Sequence, residues 1–360
     1  MKRRFQLSTY LFLIVISGLL FIPFIGTVHL FDWEEITYAE VAREMLLSGN
    51  WLKLQLNFQP FYEKPPLFVW MEALSMTYFG INDFAARLPN AICGIATVWV
   101  IYRLGKRLYN PYFGLTWALV FVGSFFPQFF FKTAVIDPWF NLFVFIGIYH
   151  LSRIIAVNQE PGELYRKSDT TKWLFYSAFF TALAVLTKGP IGLIIVFFTL
   201  MMTFVLSFAR NGVGYINLVK WLFFVLMING IWMAYLAYYH GTEYLQEFVY
   251  YQIRYLSTEA AVEADPWYFH FMMLFIGCYP ASAFVFQGFK LQSYEPIYQS
   301  VMRRMMVACL IVIVIIFTIL KSKVINYTSV AYFPITYLAT YNIHRIFKGE
   351  INGLGSNTSY

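Results

Sequence analysis

The chain has 360 residues, is 59% hydrophobic and only 12% charged, and carries 39 Phe and 27 Tyr, with a mean hydropathy of +0.59. A soluble domain carries about 25% charged residues, so the composition excludes an ordinary water-soluble fold and specifies a polytopic membrane protein. The net charge of +7 then reads as Lys and Arg gathered in cytoplasmic loops to fix topology, not as a nucleic-acid surface.

The N-terminal stretch MKRRFQLSTYLFLIVISGLLFIPFIG opens like a signal peptide, basic and then apolar. Its apolar part is too long, and no small-residue cleavage site ends it cleanly. A first membrane span with Lys2, Arg3 and Arg4 held inside is the better reading.

Just past that run, HLFDWEEITYAEVAREML brings Asp32, Glu34 and Glu35 within four residues. Two readings stand side by side. Acids suit the start of a helix, so they can be a solvated cap. Carboxylates are also costly beside lipid, and three of them can be the acid side of a polar site. The segment 31–83 is rich in aromatic residues. It divides into ITYAEVAREMLLSG, an amphipathic helix with Glu40, Arg43 and Glu44 toward water and Gly49 at its end, and PPLFVWMEALSMTYFG, a second helix opened by proline. Both are expected to lie along the membrane interface.

A span needs about 20 mostly apolar residues, and about ten runs qualify. They are roughly 8–28, 84–104, 112–131, 135–156, 172–187, 190–209, 216–238, 267–287, 305–320 and 324–344. With the N-terminus inside, the loops after even-numbered spans hold nearly every basic cluster: Lys106 and Arg107; Arg153, Arg166, Lys167 and Lys172; Arg210 and Lys220; Lys290, Arg303 and Arg304; Arg345 and Lys348. One assignment, with both termini cytoplasmic, therefore satisfies the positive-inside rule. The expected fold is an all-α polytopic membrane protein with amphipathic interfacial helices in its first outer loop. Residues 1–350 are expected to form one transmembrane unit and 351–360 a short tail.

The outer side holds the exceptions: Lys64 in FYEKPPLF, Asp137 in AVIDPWF, Lys188 in LTKGPIG, Arg254 in YYQIRYLS, and Lys321 and Lys323 in LKSKVINY. Each has a plainer reading. Lys64 can snorkel and Asp137 can cap the helix that Pro138 starts. Lys188 is harder to explain that way, because Gly189 and Pro190 break the helix beside it and point it toward protein or a cavity. Charges of both signs at one membrane face fit a site that handles a hydroxyl and a phosphate, with acids accepting a proton and bases holding an anion. A second outer loop, 239–266, ends at DPWYF.

Other chemistries lack their motifs. There is no Gly-rich nucleotide loop, no HExxH and no GxSxG, and the five histidines are scattered. Cys93, Cys278 and Cys309 lie in apolar runs and read as buried small residues.

Taken in order, WEEITYAEVAREM, GNW, EKPPL, FGINDFAARLPNA, the acid in AVIDPW, LTKGP, the EF…R pattern at 247–254 and KSKVINYTSVAYFP resemble the lipid-linked-sugar glycosyltransferases of the GT-C fold. The resemblance is to the branch that contains protein O-mannosyltransferases and the lipid A aminoarabinose transferase, and it runs over essentially the whole chain. It implies a polyprenyl-phosphate-linked sugar donor, a lipid, glycan or protein acceptor, and an active site at the outer, periplasmic face of a bacterial inner membrane. It demands no cofactor, although a divalent metal beside the acids is compatible with it.

The family's outer motif usually reads Asp-Glu before a Tyr or Phe. Counted back from Tyr38, its Asp falls on Glu34 and its Glu on Glu35. Glu for Asp adds one methylene, so either the reach is adjusted, or activity is impaired, or Asp32 contributes. Family members often continue with further helices and a soluble outer domain, so a short form and a fragment are both expected possibilities.

The implied mechanism makes Glu34 and Asp137, with Glu35 and Asp32, the acid side of the site. Lys64, Lys188, Arg254, Lys321 and Lys323 hold the lipid phosphate, and Tyr62 and Tyr327 line the sugar pocket. The competing class is a transporter or flippase of a lipid-linked sugar. That class favours midplane binding residues and internal repeats, whereas here the charges cluster at one face and no repeat is visible.

Overall fold

Short polar residues placed one step ahead of apolar runs decide where several helices begin. The computed structural model describes residues 2–160, 169–207, 212–257, 266–286, 295–319 and 324–349. After α1 (Lys2–Phe21), the Asp32 carboxylate accepts from the Glu34 N–H and opens α2 (Trp33–Ser48), which Gly49 ends with φ 68°. A hairpin follows, β1 (Gln55–Leu56) against β2 (Gln59–Pro60), with Gln55 opposite Pro60 and Leu56 opposite Gln59. Asn57 and Phe58 both have positive φ, the left-handed pair that a two-residue hairpin loop needs.

Pro66 precedes α3 (Leu67–Phe79), and the Asn82 side chain caps α4 (Asp83–Leu108). The Asn110 side chain caps α5 (Pro111–Val122), whose first residue is a proline, and the short α6 (Phe125–Phe129) runs into a 3-10 turn at Phe130–Lys132. The remaining helices are α7 (Asp137–Gln159), α8 (Thr170–Lys188), α9 (Ile191–Ser207), α10 (Tyr215–His240), α11 (Thr242–Ser257), α12 (Phe269–Gly277), α13 (Ile297–Ile319) and α14 (Tyr332–Phe347). Further 3-10 segments lie at Ala281–Phe284 and Ile325–Ala331.

The ten expected spans correspond to a less regular set. Among the described residues, α4, α7, α10 and α13 are long and apolar enough to cross a membrane alone. The pair Pro111–Val122 and Phe125–Lys132 makes a fifth only as a span bent by 81°. The run 267–287 contains the nine-residue α12, after which Pro280 cannot extend the helical hydrogen bonding. The run 324–344 begins as the 3-10 segment. The outer loop 239–266 holds a helix, α11.

One large apolar core joins the bundle helices through residues such as Phe21, Ile101, Trp117, Phe145, Trp173, Trp221 and Tyr337. A second core lies under the segment 31–83, where Tyr38, Val41, Phe68, Ala85 and Ile136 meet. α2 therefore buries more of its circumference than an interfacial helix with one wet face. Glu44, expected toward water, is buried and accepts from the Phe58 N–H of the hairpin at 2.8 Å. Glu40 and Arg43 pair one turn apart. On α10, by contrast, only 22% of the most apolar stretch is buried, which leaves a broad face for lipid.

Two close approaches set the bundle. A Cβ on Gly114 would lie 2.5 Å from the Tyr102 carbonyl oxygen and 2.8 Å from the Lys106 nitrogen, so α5 can sit on α4 only with glycine there. α7 and α8 run antiparallel, with the Ser177 hydroxyl donating to the Gly147 carbonyl at 2.9 Å. That arrangement brings the start of α7 and the end of α8 to one end of the bundle.

Because backbone atoms cannot swing aside, Gly114→Val is expected to destabilise the protein by about 1–3 kcal/mol through overpacking. Thermal unfolding in detergent checks it, and an unchanged midpoint would contradict the close α4–α5 contact.

Candidate functional site

The site rests on a buried ion pair. Arg87, on α4, donates to Glu35, on α2, from Nε at 3.0 Å and from Nη2 at 2.9 Å. The guanidinium also donates to the carbonyls of Ile25, Val28 and His29. The Glu35 carboxylate, fully buried, accepts in turn from the Ala134 N–H at 2.7 Å. Asn90 on α4 adds two donations, to the carbonyls of Thr133 and Val135. These bonds fix the end of the first loop, the start of α2 and the turn before α7 against one another.

With Glu35 turned into protein on one side, its neighbour Glu34 faces the start of α7. Asp137 begins that helix, and its oxygens accept from Lys188 Nζ at 2.5 Å and from Asn326 Nδ2 at 2.8 Å. The same Asn326 amide donates to Glu34 Oε2 at 2.9 Å. The Ser329 hydroxyl lies 3.2 Å from both Asp137 Oδ1 and Asn141 Oδ1. One carboxamide therefore bridges two carboxylates from α2 and α7, and the lysine that ends α8 neutralises one of them. Gly189, with φ 84°, turns the chain directly after Lys188. The Lys188 ammonium also lies 5.1 Å from the centre of the Tyr327 ring.

Burial first, and then repulsion from Asp137, push the Glu34 carboxyl up to about 7, against the opposing pull of Lys188 and Lys64. The two carboxylates stand in different settings. Asp137 holds a lysine, while Glu34 is poised to exchange a proton near neutral pH. Lys64, buried and 3.1 Å from Glu63, would be lowered by its burial, but Glu63, Tyr327 and Glu34 hold it above the ordinary lysine value.

The sequence-predicted residues thus divide. Glu34, Asp137, Lys188 and Tyr327 come together, with Lys64 close enough to bear on Glu34 and Tyr327. Asp32 caps α2, and Glu35 is occupied by Arg87. The Tyr62 ring packs on Tyr244 at 4.8 Å between centres, and its carbonyl accepts from Gln252 of α11. Arg254 falls on α11, but its side chain lies outside the described residues, as do Lys321, Lys323 and the tail 351–360.

Sequence reasoning missed Asn326, Ser329 and Arg87. All three stand inside motifs singled out for resemblance, INYTS and FAARLP, but the neutral Asn326 and Ser329 leave no mark on a charge map, and the partner of Arg87 is distant in sequence. Among the described residues, no three His, Cys, Asp or Glu side chains gather to hold a metal ion.

Residues 63–232 match the pattern of the dolichyl-phosphate-mannose-protein mannosyltransferase family. The chain is 26% identical over 290 residues to an undecaprenyl phosphate-alpha-4-amino-4-deoxy-L-arabinose arabinosyl transferase of Proteus mirabilis, covering 78% of this chain and 50% of that protein. It is 24% identical over 337 residues to a like-named transferase of Shewanella sediminis, covering 92% of this chain and 59% of the other. The chain therefore spans only 50% to 59% of the length of these two curated relatives. In structure it is similar to ArnT from Cupriavidus metallidurans, crystallised with undecaprenyl phosphate, with a TM-score of 0.78 at 17% identity over 94% of this chain and 60% of that one. The chain shares the fold of that transferase, and it is similar to the polyprenyl-phosphate-sugar glycosyltransferases that its motifs resemble.

Arg87→Met would leave Glu35 buried with its charge unpaired, at a cost of about 3–5 kcal/mol. The double variant Arg87→Met/Glu35→Gln should recover a good part of that loss. Thermal unfolding of the two variants beside wild type checks this, and equal losses would contradict the pairing.

Proposed function

We propose that the chain is a membrane glycosyltransferase that moves a sugar from a polyprenyl-phosphate carrier to an acceptor at the outer face of a bacterial inner membrane. Supporting this reading are the relatives' named activity and, above all, one observation. Glu34 and Asp137, bridged by Asn326, sit beside Lys188 at one end of the bundle.

Glu34 takes the proton of the acceptor hydroxyl, or orients an acceptor phosphate, as that oxygen attacks the anomeric carbon. The sugar–phosphate C–O bond breaks on the opposite face of the ring, and its electron pair stays on the lipid phosphate. A single displacement of this kind inverts the anomeric configuration. Lys188 has three ammonium N–H groups and donates one hydrogen bond to Asp137, which leaves the others for the departing phosphate. Lys64, Arg254, Lys321 and Lys323 are proposed partners of the same phosphate, and Tyr62 and Tyr327 flank the sugar. In this reading Glu35 is a positioning residue and Asp32 a helix cap.

The donor nearest to the relatives is an undecaprenyl-phosphate-linked amino-arabinose and the acceptor lipid A, with hexosyl and protein or glycan versions as variants of the same chemistry. Ten spans complete the proposed topology, the bent pair α5 and α6 and the shorter helices α1, α8, α9, α12 and α14 joining the four that are long enough alone. Both termini are cytoplasmic, residues 1–350 form one unit, and α2 and α3 lie at the outer interface. Transport of the lipid-linked sugar is the lesser reading, because the charges above sit at the start of α7 and the end of α8 and not midway along them.

Glu34→Gln is expected to lower transfer from a radiolabelled polyprenyl-phosphate sugar by about 10²–10⁴-fold, the usual worth of a general base. A loss below about twofold would remove Glu34 from that role, on the same scale. A base must be deprotonated to act, so the wild-type rate should fall as the pH drops through about 7, the value to which Glu34 is raised. A rate independent of pH between about 5 and 8, spanning that value, would contradict the assignment.

A further inference from the structure

The far ends of α4, α7 and α8 enclose a cavity of about 490 Å³ that the reaction above does not use. Arg103 and Arg107 of α4, Arg153 of α7 and Lys172 of α8 line it, against one lining carboxylate among the described residues, Asp169. From Asp137 to Arg153 is sixteen residues along one helix, about 24 Å at 1.5 Å per residue, and from Lys188 back to Lys172 is the same. The hydrocarbon core of a bilayer is about 30 Å thick. The cavity therefore opens near the membrane face opposite the candidate active site.

We propose that this cleft is a second anion site, which takes the phosphate headgroup of an anionic phospholipid. Basic residues at an inner face are ordinarily read as topological signals that reach out to water. Arg153 does not behave that way. It is only 9% exposed, and its guanidinium carbon lies over two rings of the cleft, 4.1 Å from the centre of Trp173 and 5.9 Å from that of Tyr149. A planar guanidinium can stack on aromatic faces and also match phosphate oxygens in pairs. Arg103 and Lys172, both exposed at the rim, form no ion pair among the described residues; each lies over an aromatic ring of its own helix, Trp99 and Tyr176.

The remaining lining argues for a lipid over a soluble phosphate. Val100, Ile146 and Phe180 also border the cavity, and each stands nearer the active-site end of its helix than the cation beside it. The cleft is thus basic toward water and apolar toward the membrane interior, which is the order of headgroup and acyl chain in a phospholipid. Basic pockets between spans on this side of a membrane are where anionic headgroups bind.

The test uses the full chain, purified and delipidated in a non-ionic detergent. Native mass spectrometry would follow titration with phosphatidylglycerol, with phosphatidylcholine and with inorganic phosphate. The comparison variant is Arg103→Gln/Lys172→Gln, which alters only exposed side chains and should keep the wild-type unfolding temperature. Wild type should bind phosphatidylglycerol about tenfold more tightly than phosphatidylcholine, and the variant should lose most of that preference. Equal binding of the two lipids by wild type would overturn the proposal, and so would a preference that survives in the variant. Displacement of phosphatidylglycerol by millimolar inorganic phosphate would overturn the lipid source and mark a soluble-phosphate site instead.

Discussion

The architecture of the candidate site depends on one buried interaction, the bidentate pair between Arg87 and Glu35. A guanidinium and a carboxylate removed from water are costly unless each is fully engaged. Here the engagement is spread over several chain segments. Arg87 also binds three carbonyls of the loop after α1, and Glu35 also binds the backbone before α7. A single ion pair thereby fixes where α2 starts and where Asp137 stands. Neighbouring acids then have unlike fates. Asp32 caps a helix, Glu35 pins it, and Glu34, one residue earlier on the helix, is left to meet Asp137 across Asn326.

That meeting is unfavourable by charge alone and is held by what surrounds it. Lys188 neutralises Asp137, and one carboxamide donates to both acids. The residual repulsion, added to burial, leaves Glu34 on the protonated side of its ordinary range and within reach of neutral pH. A carboxyl poised there can accept a proton from an acceptor and release it again to water. In the proposed reaction Lys188 serves both halves of the site, since the ammonium that pairs with Asp137 stands beside the space where an anion would leave.

Much of this was legible from charge and topology. Lys188 beside Gly189 and Pro190, Asp137 before a proline, and the acids after the first span stood out because a membrane face tolerates few such residues without a reason. Less legible were interactions between sequence-distant or neutral groups. Arg87 looks like one more helical arginine until Glu35, far away in sequence, is seen against it, and Asn326 carries no charge to betray it. Glu44 was expected toward water because helical periodicity alone cannot foresee a hairpin folding back over it. Regular spans were expected from apolar runs, but Pro280 and the bend after Val122 divide those runs in ways that composition does not report. The bundle's opposite end shows the same limit, since Arg153 reads as a topological signal until it is found lying on Trp173 inside a cleft.

The proposed chemistry depends most directly on the proton held by Glu34. Infrared pH-difference spectroscopy of the reconstituted full chain, wild type beside Glu34→Gln, measures that proton directly. The account predicts a protonated-carboxyl band that disappears with a midpoint at about pH 7 and is missing from the variant. A band that persists in Glu34→Gln, or a Glu34 midpoint near the ordinary glutamate value of about 4.3, would contradict it.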